Sequence, residues 1–113
     1  MSTGKGKNIT IPKKFQQFTT EFADVATAYE QMGNAVHAAG PLDKKTRALI
    51  KLGISIGARL EGAVHSHVRK ALGAGVTPEE LRHVALLALP TIGLPSMMAG
   101  LSWVDETLEQ KEK

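Results

Sequence analysis

Residues 59–75 are RLEGAVHSHVRKALGAG. Successive residues of an α-helix are rotated by about 100°. Leu60, Val64, His67, Ala71 and Ala74 therefore share one stripe, which is apolar apart from the histidine. Glu61, His65 and Arg69 follow one another at i, i+4 and i+8 on a second, polar stripe. Gly73 or Gly75 supplies the stop. The stretch is predicted as an amphipathic helix, with His67 toward a core and His65 toward solvent or a partner. Nothing in the chain alternates with period 2, so no strand is expected.

Downstream, Thr77-Pro78-Glu79-Glu80 is a capping box with proline at the first helical position. It opens a helix with Leu81, Val84, Ala85 and Ala88 inward, Leu86 and Leu87 on a second side, and an end at Pro90. Gly93-Leu94-Pro95 starts a last helix carrying Met97, Met98, Leu101, Val104 and Leu108. Upstream, Asp43 is the expected N-cap of KKTRALIKLGISIGA, with Leu42 as a hydrophobic staple. Leu49, Ile50, Gly53, Ile54 and Gly57 cluster on one side of that helix. The two glycines predict a close helix crossing. Further back, Phe15, Phe18, Phe22, Val25, Tyr29, Met32 and Val36 are spaced 3, 4, 3, 4, 3, 4. That seam predicts one helix from Pro12 to about Ala39, laid by its stripe on the core and stopped by Gly40-Pro41.

The expected fold is all-α, with five or six helices in a single domain over residues 10–113. Residues 1–9 are expected to form a disordered basic tail. The last two helices are apolar on more than one side, more than a 113-residue monomer can bury. The surplus predicts an interface between copies, hence a homo-oligomer.

Composition narrows the function. Net charge is +3, but no basic recognition helix and no interleaved aromatics accompany it, so no nucleic acid is expected. The chain has no cysteine, which removes disulfides, thiolate metal sites and thiol catalysis. Val84–Val104 is uncharged and long enough for a membrane span, but Pro90, Gly93 and Pro95 divide it. Two buried helices with a turn are expected there, and no membrane. The N-terminus MSTGKGKN has no apolar run of a secretory signal, so a cytoplasmic location is expected. No phosphate loop, HExxH or serine nucleophile elbow occurs, and no cofactor is expected. His65 and His67 lie about 200° apart on a helix and cannot chelate one ion together. A metal site needs ligands from separate helices or chains, and none is expected.

Residues 42–100 resemble the carboxymuconolactone decarboxylase family, which includes the AhpD-like alkylhydroperoxidases. The resemblance rests on LDKKTRALIKLGISIGA, HVRKALGAGVTPEELRHVALLA and IGLPSMMAGL, the second being the most specific. Residues 1–41 match only in being helical. The resemblance implies an all-α fold assembled as trimers or hexamers. It also implies that Leu60, Ala63 and Ala48 occupy positions where the peroxidase branch carries its C-x-x-C pair and relay glutamate; only His67 of that relay is retained. Thiol peroxidase chemistry needs a thiolate and is not available here. The decarboxylase branch does not use the cysteine pair. It needs a positioned acid and donors for a retained carboxylate. His67 is the candidate acid/base, and Arg59, Arg69, Lys70 and His65 are candidates for substrate binding. A solvated face of weak i, i+4 pairs is the plainer account of Glu61, His65 and Arg69. Two functions follow: a decarboxylase-like lyase acting on a small carboxylated or lactone compound through His67, or a non-catalytic family member that binds a small ligand or a protein. The surroundings of His67 discriminate them. A water-accessible pocket between subunits with an arginine nearby favours the enzyme, and a closed apolar site with His67 bonded to a backbone carbonyl favours the binder.

Overall fold

A computed structural model describes residues 11–112. Seven helices occur among them: α1 Lys13–Glu21, α2 Ala23–Ala38, α3 Lys44–Gly57, α4 Glu61–Gly73, α5 Pro78–Leu86, the single turn α6 Leu89–Ile92, and α7 Leu94–Glu112. No strand is present among the described residues, so the fold is all-α. No helix there is long and apolar enough to cross a membrane. The expected tail at residues 1–9 lies outside the described residues.

The chain divides into two compact units, Ile9–Leu42 and one built on Asp43–Lys113. In the first, the expected continuous helix is two helices. Phe22 leaves helical geometry, with φ −122° and ψ 57°. One turn earlier the Thr19 hydroxyl donates back to the Gln16 carbonyl at 2.9 Å, a bond that bends helices. Phe15, Phe18 and Phe22 stack in series, with centroids 6.2 and 6.0 Å apart. Neither α1 nor α2 buries a residue; Tyr29 and Val36 are both 61 % exposed.

The second unit holds the core. Leu52 and Ile56 of α3, Val64, Val68 and Ala71 of α4, Val76 of the turn that follows it, Leu81 and Ala85 of α5, and Val104 of α7 pack together. The predicted caps are in place. The Asp43 carboxylate accepts from the Thr46 N–H at 2.9 Å. Thr77 and Glu80 close a full capping box, with bonds of 2.9 and 3.1 Å. Pro90, expected to end a helix, stands in the first turn of α6 instead, where its missing N–H costs nothing.

Two expected faces are rotated. In α3 the buried residues are Leu52, Ser55 and Ile56, while Ile50 and Ile54 are exposed. In α4 the buried line is Val64, Val68 and Ala71; Leu60 is 54 % exposed and His67 only half-buried. Both helices are apolar over an arc wider than a single stripe, so neighbouring helices decide which part is covered. The expected close crossing also lies elsewhere. A Cβ at Gly53 would meet Val84 at an ordinary 3.7 Å, and one at Gly57 would meet nothing. A Cβ at buried Gly100 of α7 would stand 2.7 Å from Ile56. The tight approach is therefore α7 on α3.

Candidate functional site on the flanks of α4

Helix α4 packs between α3 and α7. Its buried line leaves two flanks, and the 100° step places His67 on one and His65 on the other.

On the first flank, His67 and Lys70 of α4 stand near Lys51 of α3, close enough for each charge to act on the next. Burial, then Lys70 and then Lys51 lower the His67 pKa to about 4, so the ring is neutral at pH 7. Burial, Lys70 and Arg47 also lower the Lys51 pKa. No hydrogen bond to the His67 ring forms among the described residues, and no buried side-chain polar atom there lacks a partner. The ring nitrogens therefore reach the surface, as the enzyme reading needs, but without the arginine expected beside them. A neutral, partly dry imidazole beside two ammonium groups is suited to take up a small anion.

On the second flank, His65 Nδ1 lies 2.5 Å from Thr107 Oγ1 of α7. His65 Nε2 lies 3.4 Å from Glu61 Oε2 and 3.7 Å from Glu106 Oε1. The side chain is only 20 % exposed. The stripe expected to face solvent is thus partly covered by α7.

Neither arginine joins the His67 flank. Arg59 ends α3 with φ 59°, the left-handed region in which a side chain costs about 1 kcal/mol or more. Its Nη1–H donates to Ser96 Oγ at 3.0 Å, tying the α3–α4 turn to α7. Arg69 is half-buried and burial lowers its pKa; it lies farther around α4, beyond His65. Ala48, Leu60 and Ala63 are all aliphatic.

Sequence reasoning missed Lys51, Glu106 and Thr107. Lys51 lies inside an apolar-looking run, and its only local signal is the i, i+4 step from Arg47. Glu106 and Thr107 reach α4 from more than 40 residues away. A second feature also escaped. An apolar groove of about 580 Å³ runs between α3 and the α5–α6 segment, lined by Ile50, Gly53, Val84, Leu87 and Ile92 and also by His83 and Glu80.

The chain is similar to known proteins over most of its length. The chain is 31 % identical over 93 residues to a nitrosuccinic acid decarboxylase of Metarhizium robertsii. The match covers 82 % of this chain and 59 % of that protein, so the chain spans little more than half its relative's length. The model of the carboxymuconolactone decarboxylase family matches residues 23–106. That match starts at the first residue of α2, well before residue 42, and runs through both flanks of α4 into α7. With three-quarters of its length inside the family pattern, this chain belongs to the carboxymuconolactone decarboxylase family.

Proposed function

We propose that the protein is a decarboxylase of a small dicarboxylic acid and that its site is the Lys51–His67–Lys70 flank. The observation that carries this is the neutral, surface-open His67 ring near two lysine charges. Decarboxylation breaks the bond to one carboxylate and leaves its electron pair on carbon. An adjacent nitro group or unsaturated lactone accepts that pair, and a proton must then reach the carbon. The lysines hold the carboxylate that remains. A dianion seated between them brings negative charge beside His67 and raises its pKa from the low value of the empty site. His67 then takes a proton from water and delivers it to the carbon as general acid. The name of the Metarhizium robertsii relative supplies the first substrate to try, nitrosuccinate.

CO2 release is measured with nitrosuccinate and with carboxylated unsaturated lactones, against a buffer blank. Turnover by the wild-type chain is expected to fall at least about a hundredfold in His67→Ala, the usual scale of general acid–base catalysis. Wild-type rates in His67→Ala, or no CO2 from the native protein with any of these acids, would overturn the reading.

Self-association belongs to the same proposal. Ile50, Ile54, Leu86, Leu87 and Ile92, each 43 to 64 % exposed, lie on and around the α3–α5 groove and support assembly of copies as trimers or hexamers. A single-chain mass of 12.1 kDa by light scattering at micromolar concentration would sink that part.

A further inference from the structure

We propose that Glu61, His65 and Glu106 form a divalent-cation site of the zinc class, which clips α4 to α7. The three ligand atoms all lie within 4.8 Å of one another. The separations from Nε2, 3.4 Å to Glu61 and 3.7 Å to Glu106, are long for N–H···O hydrogen bonds. They match the edges of a coordination tetrahedron, where ligand atoms at about 2.0–2.1 Å from zinc stand about 3.3 Å apart. Closing the site falls to the two glutamate ends, which are exposed and lie within 4.8 Å of each other.

The hydrogen bonding behind the ring sets its tautomer. Thr107 is 2 % exposed, and its hydroxyl donates to the Trp103 carbonyl at 3.1 Å. Its single proton is thereby committed, so Oγ1 accepts from His65 and Nδ1 carries the hydrogen. With Nδ1–H committed to Thr107, Nε2 is the ring nitrogen left to ligate, and it faces the Glu61 and Glu106 carboxylates. Two carboxylates converging on one imidazole nitrogen call for a positive charge at the centre. A metal-bound histidine whose other nitrogen donates to a fixed acceptor has the same arrangement. One imidazole and two carboxylates suit zinc better than calcium or magnesium, which take oxygen-only shells. Three protein ligands leave a fourth position for water. The two ligands on α4 are one turn apart and the third comes from α7, so the ion bridges the helices. The site is separate from the Lys51–His67–Lys70 flank and does not depend on the proposed reaction.

Zinc chloride is titrated calorimetrically into chelator-treated full-length protein, and melting is followed with and without the ion. One site per chain is expected, with a melting temperature raised by zinc. Glu106→Gln and His65→Gln should each weaken binding at least tenfold and abolish the thermal shift. Glu106 is exposed, so its variant tests the site without touching the core. Thr107→Val keeps all three ligands and should weaken binding about tenfold through loss of the orienting bond. No saturable binding to the wild-type chain at up to about millimolar zinc overturns the proposal. So does zinc binding that both ligand variants retain, which would place the ion elsewhere. A proton alone between the three groups predicts the first of these results.

Discussion

His65 and His67 stand two residues apart on α4, yet their surroundings have opposite sign. His67 faces α3 among lysines, without a hydrogen bond among the described residues and with its pKa held low. His65 faces α7 between two glutamates and is anchored by a buried threonine hydroxyl. The core line of Val64, Val68 and Ala71 separates them. Charge on a helix surface acts within a few ångströms, and helix packing decides which remote charges come that close. One amphipathic helix can therefore serve as two unlike sites, with identity set by the helices that flank it.

The largest expected effect comes from the contact that seats α7. Gly100→Ala puts a methyl 2.7 Å from Ile56 Cγ2, and overpacking a closed core contact costs roughly 2 kcal/mol. Denaturant unfolding should show that loss. The His65 ring resonances should move while those of His67 stay, because α7 builds only the His65 flank. Equal movement of both rings would mean that the flanks are not independent.

Next comes Thr107→Val. It removes the partner of His65 Nδ1 and the Trp103 back-bond. The loss should be about 1 to 1.5 kcal/mol, because a ring that is not fully enclosed recovers part of its hydrogen bonding from water. Unchanged stability would show that the bond contributes nothing.

The His67 flank has its own signature in pH. Its folded pKa, about 4, lies below the unfolded value of 6.5. Between those values the unfolded chain binds a proton that the folded chain does not. Stability is therefore full above pH 6.5, falls as pH drops, and the loss is complete below about pH 4. With solvent screening of the half-exposed ring, the change should be at most about 1 kcal/mol. Comparing His67→Gln with the native chain isolates it; the same slope in both would sink the assignment.

The smallest change in stability, a few tenths of a kcal/mol, is expected for Lys70→Ala, which removes a like charge. Proton titration by NMR should show the His67 pKa rising. An unmoved His67 would break the comparison itself.

Much of the fold was legible in the chain. Local chemistry specified the Asp43 and Thr77 caps, because a side-chain oxygen three residues from a free N–H needs no tertiary partner. The burial of Leu81 and Ala85 and the family pattern were also legible. Less so was the seam from Phe15 to Val36: its 3–4 spacing identified residues that share a face, but periodicity does not say what covers that face. It also did not reveal the break at Phe22. The close crossing was expected at Gly53 and Gly57, where spacing suggested it, and occurs at Gly100, where α7 meets Ile56. His67 was legible as a candidate. Lys51 was not, because its place beside His67 depends on how α3 lies against α4.

The sequence alone determined that this chain is helical, where most of its helices begin, and that a thiol reaction is closed to it. Hydrogen-bond periodicity, capping and residue chemistry act over a few residues, so they survive without a fold. Tertiary structure decided the rotation of each helix. Leu60, Ala63, Val64, Val68, Ala71, Leu72 and Ala74 make α4 apolar over a wide arc, and any of several lines within it could have been buried. Packing against α3 and α7 selected Val64–Val68–Ala71, turned His67 out of the core to its lysine neighbours, and brought His65 to Thr107. Burial energy depends on area and not on direction, so the choice among those lines rests with the partners and not with the helix.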